Sequence, residues 1–434
     1  MSEPRILILG AGPAGAATAI GLRRLGYAVD IVGDWRRFDA VEGVSQRVLE
    51  GLRHAGLSRA LEQAAVPARR RVHWNGVSQQ LNQECLLDRQ LFDRALRDDL
   101  RDAGVEVIEG RVREVDSDAH GHRVRLDTGE VLLAEFLVEA RGRQAPLASN
   151  RLRGPESVSL LNLWQGAPGE PFSAVESLQD GWAWMARLAD GRCYWQVSLD
   201  VSSSRVPAKP QLPEYCAQRR RQSALVAELF GADAWQPATV HARSSTAILA
   251  GECSGDNWLR VGDAAMAVDP LSGNGIFQSL SSALQAPAVI NTLLRRPEQR
   301  ALARRFHQAR IEQLFLRFAR IGRDFYAQEQ DKVAQPFWAQ RQAWPDQQPI
   351  HVPSDFRQLQ VVQRPVVRDA FIEPAEVVVS PDQPLGVWHL QGVPLAPLVH
   401  GLQTGQGLDE LLRGRSATEQ SMLRGWLAAQ GYPG

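Results

Sequence analysis

Three features of the 434-residue chain predict an α/β architecture. The first thirty-five residues read as strand, glycine turn, helix and strand. Residues 160–199 switch to period two and carry three tryptophans between 182 and 195. A Pro/Gln-rich stretch at 336–353 precedes short strands and a capped helix. In chain order these give a Rossmann-like dinucleotide-binding domain, an antiparallel-sheet substrate domain and a small C-terminal α+β domain. The length itself asks for more than one core.

Composition narrows the class. With 44% hydrophobic and 23% charged residues the chain is globular, and its formal net charge of zero argues against a broad cationic surface for nucleic acid or anionic membrane. The four cysteines, Cys85, Cys193, Cys216 and Cys253, are too scattered for a zinc site or a C-x-x-C pair, so no metal is expected. No stretch approaches the roughly 20 apolar residues of a membrane span, and no signal segment opens the chain. A reduced, cytoplasmic setting is the expectation. Lys209 and Lys332 are the only lysines, which restricts any lysine-dependent mechanism.

Arg5–Leu9 is a buried-strand pattern that runs into Gly10-Ala-Gly12-Pro13-Ala14-Gly15 and an apolar-periodic helix ending at Gly26; Tyr27–Val32 is the next strand. Gly10 allows the tight turn, Gly12 lets a pyrophosphate approach the backbone, and Gly15 lets helix and strand pack closely. A plain glycine turn in another α/β protein is the alternative. The acid expected after the second strand is replaced by Gly33, with Asp34 one position later. Either Asp34 holds the ribose, or backbone groups do so while Arg36 or Arg37 faces phosphate.

Ser45–Leu61 is helical with an interruption at Gly56, and residues 69–85 read as an excursion into the substrate domain. Asp88 is a plausible N-cap for an amphipathic helix carrying Leu91, Phe92, Ala95, Leu96 and Leu100. Arg89 lies in its first turn, where a cation opposes the helix field, so it is read as facing an anion or, alternatively, solvent. A small meander spans 111–133, and Phe136–Arg143 is another buried strand ending in a glycine turn.

Trp258–Val261 is a strand closed by Gly262-Asp263, which places a carboxylate where open α/β sheets bind ligands. Pro270-Leu-Ser-Gly273-Asn274-Gly275 then opens a long helix. Backbone donors freed by its glycines suit a developing negative charge, such as the edge of a reduced flavin.

In the middle region Trp182 and Trp184 flank Ala183, so both rings fall on one face of a strand; Trp195 occupies the next strand, and Ser244–Leu249 gives one more. The rings can form an aromatic platform or fill a sheet core. His73, Glu176 and Asp180 are weak substrate-site candidates near strand ends, and no catalytic base is assigned. Farther on, Phe315, Phe318, Phe325 and Tyr326 form a helical stripe read as core, and Ser416-Ala-Thr-Glu419 is a capping box.

Taken together, the turn at 10–15, L-D-R-x-x-F-D at 87–93, E-A-R-G-R at 139–143 and G-D-A-A…D-P-L-S-G-N-G at 262–275 resemble the aromatic-hydroxylase-type FAD monooxygenases. With D-G-W-A-W-M at 180–185, the likeness is to the tryptophan-halogenase branch. That branch also holds flavoproteins that modify protein tryptophan during tryptophylquinone maturation. The resemblance covers about residues 1–330 and implies non-covalent FAD. Gly10, Gly12, Pro13, Ala14 and Gly15 would lie on its pyrophosphate with Arg89 near, while Asp34 stays a candidate for the ribose and Arg36 for the phosphates. Asp263 would bind the ribitol, Pro270 would pack by the ring, and Gly273, Asn274 and Gly275 would meet the pyrimidine edge.

The implied domain plan has FAD-binding segments at 1–68, 86–150 and 255–335, a substrate domain at 151–254, a linker at 336–353 and a C-terminal domain at 354–434. The halogenases of this branch use a lysine ahead of the helix that starts here near Asp88, and no lysine precedes Lys209. Hydroxylation of an indole through a flavin C4a-hydroperoxide is therefore expected, with O2 as co-substrate and NAD(P)H or a separate reductase as electron source. The substrate would be a tryptophan of a partner protein docking near the C-terminal domain. A small-molecule aromatic hydroxylase, an isoprenoid-type reductase and a non-enzymatic dinucleotide-bound scaffold are the alternatives.

Overall fold

In the computed structural model, residues 4–35, 38–146, 150–273 and 275–433 are described. Arg36 and Asn274 lie outside them. The N-terminal strand Ile6–Leu9 is fully buried and sits centrally in a five-stranded parallel sheet. Across that sheet the strands run Trp258–Arg260, Phe136–Glu139, Ile6–Leu9, Val29–Gly33 and Val107–Glu109. All four pairings are parallel, which accounts for continuous apolar runs such as Ile-Leu-Ile-Leu. The meander is a separate three-stranded antiparallel sheet of Val112–Ser117, His122–Leu126 and Val131–Ala134.

The second large sheet has eight strands. In spatial order they are Thr239–Ser244, Ser157–Gln165, Arg192–Asp200, Gly181–Arg187, Phe172–Leu178, Ala64–Trp74, Val77–Asp88 and Val41–Val44. Most pairs are antiparallel; Phe172–Leu178 joins Ala64–Trp74 in parallel. Residues 64–88 are thus a hairpin inside this sheet. Its two-residue turn, Asn75-Gly76, has φ of 50° and 71°, the left-handed pair that matches strand twist.

Two expectations need correction. Ser244–Leu249 is not one strand: Thr239–Ser244 belongs to the eight-stranded sheet, and Ile248–Ala250 pairs with Arg151–Arg153 and Met266–Ala267. The break at 245–247 is bonded, with Ser245 N–H donating to the Ser157 carbonyl at 2.9 Å and the Thr246 hydroxyl accepting from Ser157 N–H at 2.9 Å. Nor is 336–353 simply a linker. Pro336 begins the helix Pro336–Ala343, which buries Phe337 and Trp338 completely. Proline at a helix start is compatible with its missing N–H, so it marked an element here and not a spacer.

The chain forms two compact units, 1–287 with 314–347, and 288–313 with 348–434. In the second, the hairpin Gln360–Arg368/Phe371–Val379 turns at Asp369 and Ala370, both at positive φ. Asn291 holds that turn by donating to the Ala370 carbonyl at 2.8 Å, and the Thr292 hydroxyl accepts from Ile372 N–H at 2.8 Å. A core of Phe356, Leu395, Val399, Leu423 and Leu427 packs helices Ala396–Gln403 and Ala417–Ala429 together. Ser416 and Glu419 form the capping box. The single helix Arg300–Ala327 carries the aromatic stripe, in which Phe315, Phe318 and Tyr326 are buried and Phe325 is exposed.

Trp338 makes a direct test of the corrected segment. Its indole N–H donates to the carbonyls of Leu178 and Gln179, both at 3.2 Å. Trp338→Ala should lower unfolding free energy by about 3–5 kcal/mol in denaturant titration, whereas a loss below ~1 kcal/mol would mark residues 336–343 as a dispensable spacer.

Candidate active site

The glycine turn is defined by what it excludes. Gly10 has φ of 111°, and a Cβ there would run into the Ala140 carbonyl. On Gly15 it would strike the Gly10 carbonyl. Gly12 differs, because no described atom lies within 4 Å of where its Cβ would be. It precedes helix Pro13–Arg24, and no side chain caps that helix among the described residues. Unsatisfied N–H groups, a positive helix end and open space above Gly12 fit a pyrophosphate.

Two other backbone segments meet this turn. Gly262, at φ 60°, leaves 2.7 Å between a would-be Cβ and the Cβ of Ala14, and Gly142 stands 3.9 Å from Asp263 on the same measure. Asp263 is half-buried, receives a 3.4 Å hydrogen bond from the Ser279 hydroxyl and lies 3.6 Å from the Arg143 guanidinium. Burial raises its carboxyl above the usual range; Arg143 opposes this and Glu42 adds to it. A shallow cleft opens here, bordered by Gly142, Arg143, Arg260 and Asp263.

Arg89 is only 8% exposed and is ion-paired to Glu42 at 2.6 Å and Asp93 at 2.8 Å. Burial would lower its pKa, but the two carboxylates outweigh that and hold it above the ordinary guanidinium value. Arg89 therefore does not face solvent. Asp34 does: it is exposed beyond the strand end, with Arg111 at 3.8 Å.

The second glycine cluster is equally open. Asp269 caps the short turn Pro270–Ser272 by accepting from Leu271 N–H at 2.9 Å. Gly273 has φ of 63°, and neither it nor Gly275, the first residue of helix Gly275–Arg295, has a described atom within 4 Å of a Cβ position. The Gly273 N–H is taken by the Pro270 carbonyl at 2.9 Å, so what a planar ring edge could meet here is the open space at Gly273 and Gly275 and the start of that helix. The Asp269 carboxylate also accepts from the Tyr326 hydroxyl, at 3.0 Å to each oxygen, and that hydroxyl accepts from the Trp182 indole N–H at 3.1 Å. Burial, then the neighbouring Asp269, keeps the Tyr326 phenol well above its usual pKa, so it remains a donor. Burial likewise raises Asp269.

Trp182 and Trp184 lie on one sheet face as expected from their spacing. Trp182 packs with Val175, Tyr326, Phe337 and Trp338, while Trp184 donates its indole N–H to Glu84 at 3.2 Å. Trp195 lies on the opposite face with Ala183, Met185 and Val197, under helices Leu212–Arg221 and Ala224–Phe230. Three of the weaker candidates are placed elsewhere. Glu176 is buried and accepts from the Ser223 hydroxyl and, at 3.1 Å, from Ala224 N–H, capping the second of those helices. Asp180 pairs with Arg219 of the first. His73 hydrogen-bonds to Ser78 within its hairpin at 2.8 Å. Sequence reasoning missed Glu42, Glu84 and the polar role of Tyr326, because a helix stripe gives no sign of where a hydroxyl points.

Residues 3–312 match the family described as FAD binding domain. The chain belongs to that family. It is an FAD-dependent monooxygenase. It is 71% identical, with a TM-score of 0.90, to a solved structure titled peptidyl tryptophan dihydroxylase QhpG, essential for tryptophylquinone cofactor biogenesis; the match covers 99% of this chain and 100% of that one. A tryptophan 2-halogenase of Chondromyces crocatus is 25% identical over 375 residues, 79% of this chain and 71% of that protein. The halogenase CmlS shares the fold at TM-score 0.79 and 17% identity, over 100% of this chain and 96% of that one. Among the described residues no helix is long and apolar enough to cross a membrane, and no group of three His, Cys, Asp or Glu side chains is arranged to hold a metal.

Two outcomes follow from this geometry. Asp263→Ala should weaken FAD binding by about 1–3 kcal/mol, read by titrating apoprotein, because hydroxyls directed at that carboxylate lose their acceptor; unchanged affinity contradicts the placement. Asp269 gives a pH test. Its raised folded-state pKa favours the folded protein while protonated, and that advantage is lost as pH rises through the raised value. Against Asp269→Asn, the wild type should therefore lose relative stability as pH rises from about 4 toward neutrality. A constant gap in denaturant midpoints across that range contradicts a raised Asp269.

Proposed function

We propose that this monooxygenase hydroxylates the indole ring of a tryptophan side chain presented by a partner polypeptide, inserting two oxygen atoms in successive turnovers, as an early step toward a tryptophylquinone. The observation carrying this reading is the full-length 71% identity to a peptidyl tryptophan dihydroxylase. The Trp184 side of the Trp182–Trp184 face supports it, since this ring is partly exposed and held by its hydrogen bond to Glu84, while Trp182 is buried behind it under Tyr326, Phe337 and Trp338. O2 is the oxidant, and electrons come from NAD(P)H or a separate reductase.

Bound FAD, once reduced, supplies oxygen activation and transfer of one oxygen atom per turnover. The chain's task is to bind, orient and keep dry. The helix donors after Gly12 would hold the pyrophosphate, and Arg89, already tethered by Glu42 and Asp93, would stand near it without reorganising. Asp263 would accept from the ribitol. The open backbone at Gly273 and Gly275 and the helix start after it would face the pyrimidine edge, with Pro270 beside the ring. Asp34, exposed beyond the strand end, would lie toward the ribose. Trp184, backed by the buried Trp182, would wall the substrate ring and exclude water. The polypeptide would dock on the second unit, which has its own core and supplies none of these groups.

Lysine chemistry adds nothing here. Lys332 is tied to the fully buried Glu329 at 2.8 Å, and its other contact is the Ser177 hydroxyl at 3.3 Å.

The decisive assay incubates the reconstituted enzyme, a reductant and O2 with a tryptophan-containing partner polypeptide and measures mass. Additions of about 16 and then 32 Da on one tryptophan are expected, each oxygen replacing hydrogen by hydroxyl. Chlorine incorporation, or turnover confined to free small aromatics, would overturn the reading.

A further inference from the structure

Glu84 is the most telling group left unassigned. It lies on strand Val77–Asp88 and is 9% exposed, on the face that carries Trp184. On strand Val41–Val44, a Cβ added to Gly43 would meet the Glu84 carboxylate, so that carboxylate lies directly against the Gly43 backbone. The preceding residue is Glu42, the partner of Arg89. One carboxylate is therefore wedged between a strand that leads into the proposed cofactor cradle and the tryptophan wall.

Its two oxygens are used unequally. Oε1 accepts from the Trp184 indole N–H at 3.2 Å. Oε2 has Arg70 Nη1 at 3.9 Å, beyond hydrogen-bond reach, and Arg70 Nε is buried with no hydrogen-bond partner among the described residues. The other acids nearby are engaged: Asp269 with Leu271 and Tyr326, Glu42 with Arg89, and Glu176 with Ser223 and Ala224. Oε2 therefore has a charged neighbour but no hydrogen bond among the described residues, which leaves its lone pairs able to take a proton. The open oxygen is an acceptor held in reserve.

Resting on the function proposed above, we infer that Glu84 is the catalytic base for the hydroxylated ring. When oxygen bonds to a ring carbon, that carbon still carries its hydrogen and the ring has lost aromaticity. Breaking the C–H bond returns its electron pair to the ring, and the proton passes to Glu84 Oε2. Per oxygen the balance is C–H plus O2, two electrons and two protons giving C–OH and water, with the electrons from the reduced cofactor. Trp184, by occupying Oε1, fixes which oxygen is presented.

The test uses the full-length holoenzyme, the partner polypeptide and Glu84→Gln, which keeps a carbonyl oxygen for Trp184 but cannot take a proton. FAD and polypeptide dissociation constants, read by fluorescence titration, should stay within about threefold of wild type while kcat falls on the order of 100-fold. With ring-deuterated tryptophan, a primary isotope effect on kcat should emerge in Glu84→Gln, because proton loss becomes slow. Glu84→Asp should recover part of the rate. Unchanged kcat, a fall in kcat without an isotope effect, or loss of FAD binding in both variants would each overturn the assignment. If wild type leaves every tryptophan polypeptide unmodified, the proposed function fails first, and that outcome is distinct from these.

Discussion

The contact on which the rest depends is backbone against backbone. Gly10 and Gly15 meet each other and Ala140, while Gly262 meets Ala14, at distances that leave no volume for a Cβ. Three strand ends thus converge without side chains between them: those of Ile6–Leu9, Phe136–Glu139 and Trp258–Arg260. The helix after Gly12 is left with unpaired donors facing open space. Such a start is unfavourable by itself and becomes favourable when an anion completes it. The same convergence sets Asp263 beside Gly142 and brings Glu42 and Arg89 into its field.

From that cradle the polar groups extend into the eight-stranded sheet along two lines. One runs from the turn at Asp269 through Tyr326 to Trp182; the other runs from Glu42 through Gly43 and Glu84 to Trp184. Both tryptophans have their indole N–H groups satisfied, so their rings are fixed walls and not adaptable contacts. Their opposite neighbours on the same strand, Ala183 and Met185, are covered by helices tied down through Glu176 and Asp180. One face is thereby closed by these helices; on the other, Tyr326, Phe337 and Trp338 cover Trp182 and leave Trp184 partly exposed beside Glu84.

Much of this was legible in the sequence, for reasons particular to each residue. Gly10, Gly12 and Gly15 were readable because their spacing is dictated by backbone collisions that only glycine avoids. The shared face of Trp182 and Trp184 followed from the period of a strand. Asp88 and Ser416 announced their caps through neighbours at fixed offsets. Tyr326 was read as part of an apolar stripe, and it is buried as that predicts; its hydroxyl, however, meets Asp269, 57 residues away in the chain. Glu84 was hidden for a similar reason, since its partner Trp184 is 100 residues distant. Glu176 and Asp180 sit near strand ends as expected, but on the face taken by helices. Pro336 was misread because proline opens helices as readily as it stiffens linkers.

The claim beneath all of these is that the glycine-lined convergence holds one flavin. Counting flavin against protein tests it most directly: reconstitute the purified chain with excess FAD, remove unbound cofactor, and release and quantify what remains. The account predicts one FAD per chain, released intact because it is held without a covalent bond. A chain that retains no flavin at any FAD concentration tried, while remaining folded by circular dichroism, would contradict it.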